Sequence, residues 1–437
     1  MPVSAKERAQ AQLVLDNLPE AAAEPPRERW DDADVDEVDY LYRAGTILTH
    51  EQDVDRVVNT IRRAPDQVID SVRVDGTSRV FSLKLPSTGL SVPEILDILD
   101  RDDQIGVGVA TPDIVLYACP NICAAAEPIP VPADTDPVPP RGVNARACRP
   151  CRGVPRPECD GDGVFISILD TGLIENAAVG HPWLAGVNGT TDPVTGTGAT
   201  AVIPYDAGHG TFVAGVARCM APKASIYVER AFEFVGANFE TNLVGPSILQ
   251  HALGLDPDIL EFTFCATTRK DLSLKTFDDV LETRIRYLKG LVVLAPAGND
   301  GKRRPTWPAA YREVISVGAL SANWRDRASF SNYGKWVDVY APGEDLINAF
   351  PSGTYTCIEP PDQGQDRVFD KMAKWSGTSF STPVVAGMIA ARMSSTGENA
   401  RQAADALLRL ACHQAAPGLG AVLYPGQACC EADCCRR

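Results

Sequence analysis

The sequence has no apolar run long enough to cross a membrane and no surplus of basic residues. Every apolar stretch falls short of the roughly 20 residues that a membrane helix needs, which excludes a membrane-spanning protein. The 41 Lys and Arg against 57 Asp and Glu give a net charge of −16, which argues against nucleic-acid binding because phosphate contacts need a basic surface. The first 30 residues lack the apolar core of a secretory signal, so we expect a cytoplasmic protein.

The composition is that of a globular chain with more than one domain. Apolar residues make up 45% of the 437 residues and charged residues 22%. Thirteen cysteines cannot all form disulfides within the chain because their number is odd, and in the cytosol most should be thiols or metal ligands.

The N-terminal third is predicted to contain one small domain. Residues 1–35 are rich in Ala, Glu and Arg and indicate a flexible tail. Strand and helix patterns then follow in the order β-α-β-β-α-β over residues 36–119, with Ser91 and Glu94 as a capping box for the second helix. This order predicts an α+β plait of the ferredoxin-like type. Ten prolines among residues 120–160 predict a semi-extended linker.

The remainder of the chain alternates apolar strand patterns with helix patterns. The alternation covers residues 161–425 and predicts a three-layer α/β domain with a mostly parallel sheet. Residues 426–437 form a Cys-rich tail.

Four residues of this α/β domain carry groups suited to acyl transfer. Asp170 ends an apolar strand, where a carboxylate can orient an imidazole, and His209 lies between two glycines just before a helix. Ser379 begins an apolar helix, whose backbone N–H groups favour developing negative charge, and a base would activate its hydroxyl. Asn299 follows a strand and offers a donor for an oxyanion. Each residue alone is typical of a cap, a turn or a structural histidine, but their coincidence in this order is improbable.

The motifs around these residues resemble the subtilisin-like serine proteases, peptidase family S8. The matching stretches span about residues 160–412 and are Asp170-Thr171-Gly172, His209-Gly210-Thr211, Ala297-Gly298-Asn299, Phe330 to Gly334, Val339 to Gly343 and Gly377-Thr378-Ser379. The resemblance implies that Asp170 orients His209, that His209 is the general base and then the acid, and that Ser379 is the nucleophile. Asn299 and the Ser379 N–H would form the oxyanion hole.

The resemblance also implies a substrate cleft, in which this chain departs from the family. The cleft residues would be Thr263, Phe264, Cys265, Ala266, Ala297 and Gly298. Family members usually carry a serine followed, one residue on, by two glycines where this chain has Thr263 to Ala266. Side chains at Cys265 and Ala266 would narrow the primary specificity pocket and favour small P1 residues. The alternative is a packing variation without effect on specificity.

The plait gains a role from the same resemblance. Family proteases often carry a β-α-β-β-α-β prodomain that assists folding and lays its end across the active site. We therefore expect residues 36–119 to act as an intramolecular inhibitor or chaperone, with the segment near Leu116 reaching toward the site. The alternative is an unrelated docking domain.

Two cysteine clusters flank the α/β domain, and their role stays open. They comprise Cys148 and Cys151 in the linker and Cys429, Cys430, Cys434 and Cys435 in the tail. Such spacing fits a zinc site, disulfide or redox chemistry, or no special role. Cys219, Cys265 and Cys412 are predicted to be core residues. No cofactor is required by the predicted chemistry, and neither zinc nor calcium is specifically supported.

The sequence as a whole favours an endopeptidase acting on protein or peptide substrates, with restricted specificity and an N-terminal regulatory module. Two alternatives remain: a catalytically silent peptide-binding scaffold, and a processing or effector protease with a single substrate. Neither nucleic acid nor a membrane is expected as a partner.

Overall fold

The computed structural model of the chain describes residues 5–18, 20–24, 40–62, 70–74, 76–85, 89–118, 127–147, 158–196, 198–232 and 235–429. The helices are α1 Ala5–Asn17, α2 Val54–Arg62, α3 Val92–Arg101, α4 Val143–Ala147, α5 Ala177–Gly180, α6 His209–Met220, α7 Glu240–Leu243, α8 Leu249–Gly254, α9 Lys275–Thr283, α10 Thr378–Thr396 and α11 Ala400–His413. The strands are β1 Ala21–Glu24, β2 Tyr40–His50, β3 Asp70–Arg73, β4 Val80–Lys84, β5 Ala110–Ala118, β6 Ile129–Pro130, β7 Phe165–Asp170, β8 Val187–Gly189, β9 Ser225–Arg230, β10 Ala237–Phe239, β11 Ile259–Phe262, β12 Phe264–Cys265, β13 Val292–Pro296, β14 Val314–Leu320, β15 Val339–Pro342, β16 Leu346–Ala349, β17 Gly353–Thr356, β18 Asp366–Phe369 and β19 Met372–Trp375.

The N-terminal strands form an antiparallel sheet in the order β5-β2-β4-β3, with β1 also paired to β2. Helix α3 begins at the predicted capping box, because Ser91 accepts the Glu94 N–H and Glu94 accepts the Ser91 N–H. The alternation of Ile105, Val107 and Val109 predicts an earlier start for β5, but the strand begins at Ala110. The chain before it bends at Gly106 and Gly108, whose positive φ angles of 82° and 81° end any extended run.

The C-terminal part of the chain is built on a seven-stranded sheet in the order β15-β14-β13-β11-β7-β9-β8. Every neighbouring pair in it is parallel, as the continuous apolar strands predicted. Parallel strands present their carboxyl ends at one edge, so residues that follow β7, β11 and β13 lie at the same edge.

Helices cover both faces of this sheet. One core packs α6 and α10 on the face that bears Ile168 and Leu294. The other core packs α8 and α9 on the face that bears Leu169 and continues without a break into the N-terminal sheet and its helices α2 and α3. The predicted three-layer arrangement is therefore present, and the N-terminal sheet is packed against one of its outer layers.

Ion pairs supplement the apolar contact between the N-terminal sheet and the rest of the chain. Asp279 in α9, only 2% exposed, accepts from the Ser78 hydroxyl at 3.0 Å, the Arg79 N–H at 3.0 Å and the Arg79 Nε at 2.7 Å. On another side Arg269 Nη1 lies 2.7 Å from Asp100 in α3. Buried charges are stable only when they are paired and hydrogen-bonded in this way.

Two segments expected to be loose are packed on the fold. Within the predicted tail, α1 buries Val14 and places Gln10 against Glu359 and Tyr205. Within the predicted linker, residues 127–147 differ from a semi-extended chain: β6 pairs antiparallel with β19, and Asn144 donates to the Met220 carbonyl at 3.1 Å. Prolines do not prevent such docking when the chain runs along the edge of a sheet, where one row of donors is unneeded.

The cysteine prediction is wrong at one position, Cys412, and is made more specific at two others. Cys159 and Cys429 form a disulfide, which is one of the alternatives left open for Cys429. Cys265 is buried as predicted, but it too is disulfide-bonded. Cys412 is exposed rather than in the core, whereas Cys219 is a buried thiol. Cys148, Cys151, Cys430, Cys434 and Cys435 lie outside the described residues. Across the ranges described above, no helix is long and apolar enough to cross a bilayer.

Candidate active site

Three polar side chains meet where β7, α6 and α10 converge. Asp170 is the last residue of β7, His209 the first of α6 and Ser379 the second of α10. The first turn of α6 approaches this sheet edge closely, because the residue after the histidine is a glycine. A Cβ at Gly210 would lie 2.3 Å from the Gly172 carbonyl oxygen.

The three side chains form a continuous hydrogen-bonded chain. His209 Nδ1 lies 2.8 Å from Asp170 Oδ1 and 2.9 Å from Oδ2, and His209 Nε2 lies 2.9 Å from Ser379 Oγ. The Thr171 N–H also donates to Asp170 Oδ1, at 2.5 Å. With Asp170 accepting at Nδ1, the proton of a neutral imidazole resides on Nδ1, and Nε2 is left to accept from the serine hydroxyl.

The site lies in an apolar and aromatic setting. Asp170, His209 and Ser379 are each at most 1% exposed. The Trp375 ring meets the imidazole edge-on at 5.4 Å and the Phe380 ring lies 5.0 Å away. Because water is largely excluded, electrostatic interactions inside the site are stronger than they would be in solvent.

Asn299 lies beside the start of α10. Its Oδ1 accepts from the Thr378 N–H at 2.7 Å and from the Thr378 hydroxyl at 2.8 Å. These two bonds fix the amide, so that its NH2 group is the donor end of the side chain. Gly298 donates its N–H to the Thr378 hydroxyl at 3.1 Å, which ties the same loop to α10 a second time.

Strand β5 of the N-terminal sheet lies between two strands of the C-terminal part of the chain. It pairs antiparallel with β10 on one side, Leu116 facing Asn238, and with β12 on the other, Tyr117 facing Cys265. The Ala118 N–H adds a bond of 2.7 Å to the Gly236 carbonyl. A peptide held in this way adds a strand between two edges, which is a common mode of peptide recognition.

Of the predicted cleft residues, some pair with β5 and others are hydrogen-bonded within the C-terminal part of the chain. Phe264 and Cys265 form β12 and pair with β5, and the Thr263 hydroxyl is used internally, donating to the Leu169 carbonyl at 2.8 Å. Ala266 exchanges backbone hydrogen bonds with Trp307 instead. The Ala297 N–H donates to the Val317 carbonyl at 2.9 Å, and the Ala297 carbonyl accepts from the Thr306 hydroxyl at 2.7 Å.

The sequence patterns did not predict two features near the site. One is the second strand that pairs with β5, and the other is the set of side chains that hydrogen-bond to the backbone next to His209. The second strand that pairs with β5 is β10, which has three residues and is too short to show an alternating pattern. The side chains next to His209 are Asp192 and Thr171, which accept hydrogen bonds from the N–H groups of the residues before and after His209. Thr171 lies within the Asp170-Thr171-Gly172 motif, although no contact of its side chain was predicted, and Asp192 carries no local signal because its partner is 16 residues away. Among the residues with described positions, no group of three or more His, Cys, Asp or Glu could hold a metal ion.

A family model places this geometry among known proteins. The model of the subtilase family, Peptidase_S8, matches residues 161–417, more than half of the chain. The chain belongs to the subtilase family. The predicted resemblance is therefore confirmed, and this subtilase is a subtilisin-like serine protease, a hydrolase.

Individual relatives agree with the family model. Thermitase of Thermoactinomyces vulgaris is 30% identical over 261 residues, which cover 55% of this chain and 78% of thermitase. A thermophilic serine proteinase of Bacillus sp. (strain AK1) is 32% identical over 260 residues, 54% of this chain and 53% of that protein. This subtilase thus spans about half the length of the second relative.

A solved structure supports the fold. Fervidolysin from Fervidobacterium pennivorans, described as a keratinolytic enzyme related to subtilisin, aligns with a TM-score of 0.57 at 18% identity. The alignment covers 89% of this chain and 61% of that one. The subtilisin-like α/β fold with its parallel sheet is thereby confirmed.

Proposed function

We propose that this subtilase is an endopeptidase that hydrolyses peptide bonds through Ser379, His209 and Asp170. The observation that carries the proposal is the buried chain of contacts from Asp170 through His209 to Ser379 Oγ, with 2.9 Å between Nε2 and Oγ. A nucleophile in hydrogen-bond reach of a base, which is itself oriented by a third group, is the arrangement that acyl transfer requires.

The proposed reaction has two stages. Ser379 Oγ attacks the substrate carbonyl carbon while its proton passes to His209 Nε2, and Asp170 stabilises the imidazolium. Asn299 and the Ser379 N–H donate to the oxyanion, and His209 returns the proton to the leaving amine as the C–N bond breaks. Water then attacks the acyl-enzyme by the same route. These steps use only side chains and backbone donors, so we propose that no cofactor is required.

A fluorophosphonate probe tests this assignment directly. We expect the wild-type protein, with its N-terminal module displaced, to become labelled at Ser379 and the Ser379→Ala variant to stay unlabelled. A scaffold that only binds peptides would show no labelling, even after the N-terminal module has been displaced.

We also propose that residues 36–119 form a ferredoxin-like module that inhibits the protease. The sheet order β5-β2-β4-β3 supports the ferredoxin-like plait. The pairing of β5 with β10 and β12 supports inhibition, since a substrate strand would need the same two edges. We propose as well that the module assists folding, because its core is continuous with that of the protease.

A matched pair of substitutions in α9 tests inhibition. Asp279 accepts three hydrogen bonds from Ser78 and Arg79 of the module, whereas Glu282 contacts Arg79 only through one exposed pair at 3.0 Å. Loss of a buried partner costs several kcal/mol, and loss of an exposed pair costs less than about 1 kcal/mol. We expect Asp279→Ala to raise peptide hydrolysis at least tenfold and Glu282→Ala to change it less than twofold. Equal activity in both variants would contradict the inhibitory role.

Restricted specificity is the third element of the proposal. Cys265 and Ala266 carry side chains in or beside the strand that receives β5, and Cys265 is fixed by a disulfide. These side chains narrow the cleft and favour small P1 residues. Best cleavage of a fluorogenic peptide panel after large aromatic residues would contradict this, and cleavage of one host protein alone would favour a processing or effector protease.

The location of the protein is best judged from its disulfides. The pattern at the N-terminus predicted the cytoplasm, but Cys159–Cys429 and the bonded Cys265 are stable chiefly in oxidising surroundings. We infer that the protein works where disulfides persist. Thiol counting on protein isolated under native conditions with an alkylating agent tests this, and a fully reduced chain would restore the cytoplasmic prediction.

A further inference from the structure

The backbone of His209 is held on both sides by groups outside its own helix. The N–H of Gly208, the residue before it, donates to Asp192 Oδ2 at 2.6 Å. The N–H of Gly210, the residue after it, donates to the Thr171 hydroxyl at 3.1 Å. Asp192 lies in the loop that follows β8, and Thr171 lies in the loop that follows β7. The first turn of α6 is therefore hydrogen-bonded to both loops.

The bond from Gly208 has no local substitute. Gly208 is the N-cap of α6 at a φ of 87°, a conformation that side chains other than those of glycine and a few polar residues rarely adopt. A Cβ there would lie 2.6 Å from Phe350 and from Pro351. A capping side chain is therefore excluded at this position, and the α6 N-terminus depends on a partner supplied from elsewhere.

Asp192 is itself tied to the loop that carries Asp170. Its N–H donates to the Leu173 carbonyl at 2.9 Å, three residues beyond the catalytic carboxylate. The two loops are in close contact at Gly172, because a Cβ at this position would lie 3.1 Å from the Asp192 nitrogen. Displacement of Asp192 would thus be transmitted to both ends of the Asp170–His209 contact.

The carboxyl group of Asp192 is committed to this single bond. The residue is 2% exposed, and its Oδ1 has no hydrogen-bond partner among the described residues. Burial raises the pKa of Asp192 well above its usual value. The Gly208 N–H and the charge of Arg230 oppose this rise, while the charges of Asp206 and Asp170 add to it. A protonated carboxyl is close in shape and charge to a carboxamide, so asparagine is the conservative replacement.

We propose that Asp192 is a positioning residue for the proposed reaction: it fixes the entry of the chain into α6 and so holds the His209 imidazole between Asp170 and Ser379. The role rests on the proposed function of the triad. The positioning role predicts that loss of the Asp192 carboxylate lowers turnover and leaves substrate binding unchanged. Substrate is proposed to bind between β10 and β12, and neither strand contains Asp192.

Substitutions of Asp192 test the role against a matched control. Asp192→Ala removes the acceptor and Asp192→Asn keeps it. Asp258→Ala removes a similar bond, from the Phe165 N–H at 2.9 Å, at the opposite end of β7. We expect Asp192→Ala to lower both fluorophosphonate labelling and kcat at least tenfold with KM changed less than twofold. Asp192→Asn and Asp258→Ala should stay within threefold of wild type. Asp192→Ser, whose hydroxyl is too short to reach Gly208, replaces the alanine variant if that variant fails to fold.

A second measurement is independent of activity. In histidine-labelled Ser379→Ala protein, the Nδ1–H proton of His209 bonded to Asp170 should give a low-field resonance. We expect Asp192→Asn to retain this resonance and Asp192→Ala to lose or broaden it. A protein that the probe does not label even after the N-terminal module has been displaced would refute the proposed function and leave this test to decide on Asp192. Retention of the resonance in Asp192→Ala, or an equal loss in Asp258→Ala, would overturn the positioning role.

Discussion

Glu261 is a carboxyl group placed inside the protein with nothing to neutralise it. It lies on β11, where its Cα partners are Ile168 of β7 and Leu294 of β13, and it is 0% exposed. Neither carboxyl oxygen has a hydrogen-bond partner in the described part of the chain. Burial raises the pKa of Glu261 well above its usual value, and the charge of Asp170 raises it further.

The raised pKa makes folding depend on proton uptake. The folded chain keeps Glu261 protonated at pH values where the unfolded chain, with the ordinary pKa of 4.5, has lost the proton. The folded state therefore binds more protons, and the free energy of unfolding falls as the pH rises above the unfolded-state pKa. The fall is about 1.4 kcal/mol per pH unit at full linkage, which is up to about 3 kcal/mol between pH 5 and pH 7.

Glu261→Gln removes the titration and keeps the shape of the side chain. We expect the free energy of unfolding of the variant to fall less with rising pH than that of wild type, by up to about 1.4 kcal/mol for each pH unit over which the folded chain keeps Glu261 protonated. Urea unfolding in a Ser379→Ala background, which prevents self-digestion, measures the difference at pH 5, 6 and 7. Glu282→Gln, at a side chain that is 65% exposed, controls for the loss of one negative charge. Parallel pH dependences for wild type and Glu261→Gln would refute the reasoning.

Three further outcomes follow from the site and the cysteines. Asn299→Ala should lower kcat by about 10²- to 10³-fold with little change in KM, measured by steady-state peptide hydrolysis, and an unchanged kcat would remove Asn299 from the oxyanion site. Maleimide followed by peptide mapping should modify the exposed Cys412 in the native protein but not Cys219, because burial raises the pKa of the Cys219 thiol to about 12. Joint Cys159→Ser and Cys429→Ser substitution should lower the free energy of unfolding by roughly 2–5 kcal/mol, since the bond closes a loop of 270 residues; an unchanged urea midpoint would count against it.

The sequence predicted most successfully what local patterns encode. Continuous apolar runs marked the parallel strands, and Ser91 with Glu94 marked the start of α3, because each signal lies within one element. The positions of Asp170, His209 and Ser379 at element ends then followed from the topology of the sheet, whose strand ends share one edge.

The failures concern contacts between distant parts of the chain. The composition of residues 120–160 predicts a linker because it cannot build a core of its own, yet within this range β6 needs only the free edge of β19. The pairing of Cys159 with Cys429 spans 270 residues and leaves no trace in either local pattern. The same holds for Asp192 and Gly208, whose contact depends on how two loops meet. Such information resides in the tertiary structure and not in periodicity.

The chain passes from the module to the protease between β5 and β6. Both of these strands are paired with strands of the protease. Upstream, β5 is held by β10, β12 and the Ala118–Gly236 bond, and downstream, β6 is held by β19 while Glu127 accepts from Tyr355 at 3.0 Å. Cutting the peptide chain between these strands would break none of these contacts. Under the proposed inhibition, such a cut alone would not open the cleft, because the pairing of β5 and the ion pairs at α9 would remain. A trigger that acts on the interface, rather than cleavage alone, is what the proposed inhibition requires.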